Sequence, residues 1–321
     1  MATSDLLFQI IDWRNFEEED VDADSDERNI KKYKIGIYGR TANNETVYLK
    51  VNNYTPFFYV EIPSNWKKST ISMFVSALKN QVYYKDRDAL KDYDTVNRYK
   101  FWGFSNYKMY HFIRLVFHNH SGMRSFERAL KKPIKNRLLS KIPKKYNIYE
   151  SNVEPFLRCM HIRDLQACGW VKINKGKYTS NKEDHKVTIC DLDAECSWTD
   201  IDKVDTHDIL PFTIASFDIE CTSGDGSFPQ AERESDKIIQ IGTTFSKYGE
   251  DDCYYKHIVT LGSCDPIPGV DVESYENESD VLVAWTNMIK RMNPDIMTGY
   301  NIFGFDYKYL RDRSKKLGCF Y

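Results

Sequence analysis

The sequence predicts a mixed α/β protein in two parts: a β-rich α+β domain over residues 1–208 and an α/β domain over residues 209–321. Three observations carry this. Short runs rich in β-branched and aromatic residues, separated by turn-prone stretches, dominate the first half. The second half reads strand, strand, strand, helix, strand, helix. Between them, residues 181–208 are polar and charged, and the domain boundary is expected near the end of that stretch.

In the first part, residues 6–12, "YKIGIYGR" (33–40), "TVYLKV" (46–51) and "FFYVEI" (57–62) read as strands. "STISMFVSALKNQV" places Ile71, Phe74, Val75 and Leu78 at helical spacing. "NYKMYHFIRLVFHN" is a further strand, and "GMRSFERALKKPIKNRLLSK" a basic helix interrupted near Pro133. "NIYESNVEPFLRCMHIRDL" predicts another helix, leading into "GWVKINKGKYTS". The acidic run at 17–28 has Asp20, Asp22, Asp24 and Asp26 at alternate positions. It lacks the Gly of a calcium loop, with Ser25 in that place, and the closing Glu, with Lys31 there, so it reads as a solvated loop.

In the second part, "PFTIASFDIE" (211–220) is an apolar strand ending in Asp218 and Glu220. An acidic, Gly-containing loop follows, with "SGDGS" (223–227) read as flexible, and then the strands "KIIQIGTTFS" and "CYYKHIVTL". Val281, Leu282, Trp285, Met288, Ile289 and Met292 form one stripe of an amphipathic helix, with Trp285 and Met288 in the core. "PDIMTGY" is a short strand and "NIFGFDYKYLRDRSKKLG" a helix. This order matches the opening of a ribonuclease-H-like sheet.

Composition fits a globular chain with a real core: 321 residues, 41% apolar, 29% charged and 14% aromatic. A formal net charge of −2 gives no global basic signal, so contact with nucleic acid would rest on local patches. The eight cysteines include no C-x-x-C pair, which argues against a zinc ribbon and for reduced thiols. The start "MATSDLLFQI" lacks a signal peptide's basic opening and long apolar core, and no apolar run reaches membrane-spanning length. The expected setting is therefore cytosol, nucleus or a viral replication compartment, not secretion.

Side chains two apart on a strand share a face, so Asp218 and Glu220 project side by side, away from Phe217 and Ile219. Two carboxylates roughly 5–6 Å apart repel by about 3 kcal/mol at an effective dielectric near 20. A shared proton, a basic side chain or a metal ion must offset that. In open α/β sheets the chemistry collects at the carboxyl ends of strands. Asp218 and Glu220 lie at one such end, and Asn301 and Asp306 follow another. Two-metal phosphoryl transfer needs carboxylates converging from separate elements on cations about 4 Å apart. Asp218 and Glu220 supply one arm of such a site, Asp306 a second, and Asn301 is placed to hold a phosphate or sugar.

"FDIECTSGDGSFPQAERESDKIIQIG" resembles the first exonuclease motif of B-family DNA polymerases, and "DIMTGYNIFGFDYKYLRDR" the second. "SYENESDVLVAWTNMIKRMNPD" between them follows the family's pattern of acidic segment, Trp-bearing helix and Asp-led strand. Upstream, "FQIIDW", "IYGRT", "PFFYVEIP" and "ESNVEPFLRCMHIRDLQACGW" resemble the amino-terminal domain of delta-like members, particularly those of large DNA viruses. The resemblance implies that residues 1–208 are that amino-terminal domain and 209–321 a 3′–5′ exonuclease domain, incomplete at its carboxyl end. It implies a two-metal site of Mg²⁺, with Mn²⁺ substituting, held by Asp218, Glu220 and Asp306. Asn301 would contact the terminal nucleotide and Phe305 would pack behind or against it. The implied partners are DNA (a single-stranded 3′ end and primer-template), the remainder of the polymerase in cis or as a split chain, and a sliding clamp.

Against the family pattern, the third exonuclease motif, a Tyr and an Asp on a later helix, and the polymerase palm, fingers and thumb are expected beyond Tyr321. The chain therefore reads as the front of a polymerase: a fragment, a split gene product or a truncated frame. One alternative is a catalytically silent fragment that binds nucleic acid or docks the rest of a polymerase. A glycoside hydrolase, the third reading, requires a barrel of repeated βα units that the chain does not show. Two further stretches, "RYKFWGFSNYKMYHFIRLVFHNH" (98–120) and "KKPIKNRLLSKIPKK", mix bases with aromatic or apolar residues. The first mixes them as single-strand binders do, but its alternation points instead to a strand with a packed face; the second suits template phosphates or, equally, a solvated helix face.

Overall fold

The computed structural model describes residues 4–19, 30–101, 103–135 and 142–320, and the chain divides into two units, Met1–His207 and Asp208–Tyr321. The first unit contains β1 (Leu6–Glu19), β2 (Lys31–Arg40), β3 (Thr46–Asn52), β4 (Phe57–Ile62), α1 (Lys68–Gln81), β5 (Leu90–Tyr99), β6 (Met109–Phe117) and α2 (His120–Leu130). It continues through β7 (Ile148–Tyr149), α3 (Pro155–Arg163), β8 (Trp170–Ile173), β9 (Tyr178–Ser180), β10 (Leu192–Ser197) and β11 (Ile201–Val204).

Seven of these strands form one sheet in the order β11-β8-β1-β2-β3-β10-β9. Phe8, Ile10, Ile35, Ile37, Leu49 and Ile173 are buried in its core, with Cys159 and Met160 of α3 packed among them. The other four form a second sheet, β5-β6-β4-β7, whose elements follow in the chain as βαββαβ. Along β4 the side chains alternate, with Phe58, Val60 and Ile62 buried against Phe74 and Leu78 of α1 and Phe126 of α2.

Several elements differ from expectation, each for a physical reason. β1 runs on to Glu19 through a charged end with no apolar signature: Glu18 and Glu19 lie opposite Lys32 and Lys31 on β2, and Glu18 pairs with Lys50 at 3.3 Å and Lys34 at 3.8 Å. The polar stretch 181–208 is not a bare linker: it holds β10 and β11. Its charges are paired within the sheet, with Glu195 bonded to Lys50 at 2.7 Å and to Asn52 at 3.1 Å, so a strand reads as a solvated run. β5 is polar on both faces and carries no alternation to find. The helix α2 ends at Leu130, just ahead of Pro133. The acidic run at 17–28 and the basic run after Pro133 fall largely outside the described residues.

The second unit is a single five-stranded sheet. Its elements are β12 (Thr213–Cys221), β13 (Ile238–Lys247), β14 (Cys253–Leu261), β15 (Asp271–Tyr275), α4 (Glu278–Met292), β16 (Ile296–Thr298) and α5 (Asp306–Lys316). The order is β15-β14-β13-β12-β16; the first three in chain order are antiparallel, while β15 and β16 run parallel to their neighbours. The buried stripe of α4, with Val281, Leu282, Trp285 and Met288, packs on Ala215, Phe217, Ile241 and Phe245. The Trp285 indole N–H donates to Thr243 Oγ1 at 3.0 Å, satisfying the one polar atom of that ring. β15 is absent from the sequence reading because its residues sit inside an acidic segment. α5 begins at Asp306, not at Asn301, since a turn with a left-handed Asn301 precedes it. The eight cysteines are free thiols, and among the described residues no helix is long and apolar enough to cross a membrane.

Candidate active site

The parallel pairing of β16 with β12 brings two chain segments to one end of the sheet. β16 pairs Ile296, Met297 and Thr298 with Ile214, Ala215 and Ser216, and then stops. Register at the other end is set by Asp295, whose amide donates to the Thr213 carbonyl at 2.9 Å and whose carboxylate accepts from the Thr213 amide at 2.8 Å. β12 continues past its partner to Cys221, carrying Asp218 and Glu220 on its exposed face and Phe217 and Ile219 on its buried one. A register shift between Glu220 and Cys221 ends the regular ladder.

The turn after β16 returns against β12 at Gly299. A Cβ there would lie 2.4 Å from the Phe217 carbonyl oxygen and 2.5 Å from the Ile302 side chain, so only glycine allows this approach. Asn301 takes the left-handed conformation (φ 54°) that Asn tolerates better than most residues, and its carbonyl accepts from the amides of Gly304 at 2.8 Å and Phe305 at 3.1 Å. Its side-chain amide folds back over Gly304, where a Cβ would lie 2.2 Å from Asn301 Oδ1.

That turn delivers Asp306 as the first residue of α5, 2% exposed. Its Oδ1 accepts from the Ile219 amide at 3.3 Å, at a level of β12 beyond the last pair with β16. Burial, above all, pushes the Asp306 carboxyl above the usual carboxylate range; the Ile219 amide opposes this, and the adjacent Asp218 carboxylate pushes it further up. Asp218 and Asp306 therefore meet, with Glu220 one step along the same strand face. Across β13 the partner of Asp218 is Gly242, beside which a Cβ would meet nothing within 4 Å, so the space flanking Asp218 is open.

Phe305 is half-buried between Phe228, edge-on at 5.0 Å, and Tyr309 at 5.2 Å. The loop from 222 to 237 is held rather than loose. At its neck Thr222 Oγ1 donates to the Ser235 carbonyl and accepts from the Lys237 amide, both at 2.8 Å. Inside it, Asp236 is fully buried and accepts from the amides of Gly224 and Gln230 and from the Ser235 hydroxyl. These bonds, the hydroxyl first, hold its carboxyl below the usual range. Asp225 is held at about 2 by the Ser227 hydroxyl and amide, and its other oxygen pairs with Arg233 at 2.8 Å. The expectation that 223–227 is a flexible loop is thus corrected: carboxylates replace a core in ordering it.

Beneath the loop lies a buried ion pair. Arg313 of α5, fully buried, makes a two-pronged contact with Glu278 of α4, both bonds 2.7 Å. Glu278 also accepts from the Ile238 amide at 2.8 Å, and Arg313 donates to the carbonyls of Ala231 and Arg233. Loop, β13, α4 and α5 are joined at this one point. Sequence reasoning missed Asp236, Glu278 and Arg313 because each sits in a charged run that reads as solvated surface; nothing local distinguishes them.

The donor set at Asp218, Glu220 and Asp306 is all carboxylate oxygen, suited to a hard divalent cation that would relieve the repulsion between Asp218 and Asp306. Among the described residues, no three Asp, Glu, His or Cys side chains gather as a preformed cage. A paired-carboxylate end of an open, mixed sheet is the mark of a nuclease-like α/β domain. Residues 146–321 match the family model for the exonuclease domain of DNA polymerase family B, and the chain belongs to that family. It is 43% identical to a DNA polymerase of Acanthamoeba polyphaga mimivirus over 97% of its own length and 18% of the relative's. Identity is 30% to a DNA polymerase of Paramecium bursaria Chlorella virus NY2A, covering 97% of this chain and 31% of that one. It is 31% to the DNA polymerase delta catalytic subunit of Arabidopsis thaliana, covering 88% and 26%. The chain thus spans a third or less of the length of these relatives. The fold matches that of a family B DNA polymerase from Pyrobaculum calidifontis with a TM-score of 0.65 at 17% identity, over 97% of this chain and 32% of that one.

Proposed function

We propose that the second unit removes mispaired 3′-terminal nucleotides from DNA as monophosphates, as the proofreading part of a replicative polymerase. The observation that carries this is the meeting of Asp218 and Asp306 at one sheet end, with Glu220 beside them on an open face. Asp218, Glu220 and Asp306 are the residues that would hold two divalent cations, Mg²⁺ or in its place Mn²⁺. Bound there, such cations supply an activated water and neutralise charge on the leaving oxygen. The chain's own groups do the rest. The Gly299 contact and the Ile219–Asp306 bond fix the carboxylates from two elements in one place, and Asn301 and Phe305 border the position of a terminal nucleotide. An unpaired end reaches such a site more readily than a paired one, since mismatched ends have less stacking and pairing to lose.

On this reading the amino-terminal unit spans residues 1–208 and the exonuclease unit 209–321. DNA primer-template, the remainder of a polymerase in cis or as a separate chain, and a sliding clamp are the partners, in the nucleus or a viral replication compartment. The test is digestion of a 3′-mismatched, end-labelled DNA by the 321-residue chain, with Mg²⁺ and then Mn²⁺, beside Asp218→Ala. Shortening from the 3′ end by the parent chain and not by the variant supports the reading. Absence of digestion in both supports the second reading, a silent docking or binding fragment.

A further inference from the structure

The stretch 98–120 divides in two. β6 is a packed strand with Ile113, Leu115 and Phe117 fully buried. The connection from β5 to β6 is the reverse: Phe101 is 100% exposed, Phe104 96% and Tyr107 89%, and the patch continues onto Tyr99 and Met109. Among the described residues none of these three rings contacts another ring. Asn106 and Tyr107 are consecutive non-glycine residues with positive φ (46° and 56°), in a turn closed by the Lys108 amide donating to the Ser105 carbonyl at 2.9 Å. Left-handed backbone at a Tyr is costly, and such strain collects where a loop must present a side chain.

Cations flank the rings along the chain. Arg98, Lys100 and Lys108 lie in the connection or at its ends, and no Asp or Glu occurs from Thr95 through Phe126. Lys100 is tied to Glu61 at 2.7 Å and sits 3.9 Å from the Tyr110 ring centre, with Lys108 at 5.5 Å from the same ring. That leaves Lys108, next to Tyr107 in the chain, and Arg98, whose Nη1 donates to the Asn97 carbonyl at 3.0 Å, as the cations of this connection that form no ion pair among the described residues.

The geometry points to a single-stranded DNA contact at this hairpin tip. Flat rings open to solvent, interleaved with cations in a stretch that itself holds no Asp or Glu, complement a polymer of flat bases joined by anions. Duplex hides its base faces in the stack. An apolar protein surface would use the rings but gains nothing from the run of cations. The choice of DNA over RNA rests on the DNA-processing reading of the second unit.

The test is fluorescence anisotropy of a labelled oligothymidylate of about 20 nucleotides with the 321-residue chain, in EDTA so that no digestion occurs. Phe101→Ala/Phe104→Ala/Tyr107→Ala is expected to weaken binding by tenfold or more while leaving the thermal midpoint unchanged, because the removed rings are almost fully exposed. Lys108→Ala is expected to flatten the slope of log affinity against log salt by about 0.7. Unchanged affinity in the triple variant overturns the inference, as does equal binding of duplex or of single-stranded RNA. Self-association of the parent chain that the triple variant abolishes, with DNA affinity intact, assigns the tip to a protein contact and also overturns it. A chain that digests 3′ ends yet ignores the triple substitution sinks this inference alone; one that binds through the tip yet digests nothing sinks only the hydrolytic reading.

Discussion

Asp306 Oδ1 accepts the Ile219 amide proton at 3.3 Å, so a carboxylate from the start of α5 completes the ladder of β12 where β16 has ended. One side chain does two things: it satisfies a buried backbone donor and it stands against Asp218. The two roles separate by substitution.

Asp306→Asn keeps an oxygen for the Ile219 amide and removes the charge that burial and Asp218 disfavour. Stability is expected to hold or rise slightly in urea denaturation, while 3′ digestion is abolished. Asp306→Ala leaves the Ile219 donor unpaired and is expected to cost about 1–3 kcal/mol. Equal stability of the two variants removes the bond from the account.

Gly299→Ala places a methyl 2.4 Å from a backbone oxygen, which cannot rotate away. The turn must lift off β12, with an expected loss of about 1–3 kcal/mol. Digestion should fall with it, since Asp306 follows the turn. A thermal midpoint equal to the parent's contradicts the close approach.

Arg313→Met strands Glu278 in the core and is expected to destabilise by about 3–5 kcal/mol. Arg313→Met/Glu278→Leu should recover part of that, since no buried charge remains. It should not recover all, because Ile238 loses its acceptor and Ala231 its donor. A double variant no more stable than the single one refutes the ion-pair account.

Asp236 links the loop to pH. Its carboxyl is depressed in the fold, so the charged form is favoured there. The resulting stability is complete above the ordinary carboxylate value of about 4 and is lost as pH falls through the lower folded value. Asp236→Asn is expected to be less stable than the parent at pH 7 and to converge with it in strong acid, by urea midpoint. A gap constant from pH 7 downward speaks against the carboxylate.

Much of this was legible beforehand, and the reason is alternation. The apolar run before Asp218 and Glu220, the stripe of α4 from Val281 to Met288, and the Asp306 position after a short strand all follow from periodicity. The rest was hidden by charge pairing. β10 and the far end of β1 are built on Glu–Lys pairs across strands, β5 is polar on both faces, and Asp236, Glu278 and Arg313 are buried charges that satisfy one another or backbone groups. Reading charged residues as solvated is right for most positions and wrong for these.

The turn from Gly299 to Phe305 has no slack, being pinned to β12 at one end and continuous with α5 at the other. A residue added to or removed from it would rotate the start of the helix by about 100° and shift it by about 1.5 Å, carrying Asp306 away from Ile219 and Asp218 together. Natural variants of this chain should therefore keep the length of this turn while changing the length of the connection after β13, where Gly249 sits in an open bend. Constancy of spacing, more than identity of residue, would be the hereditary trace of the site.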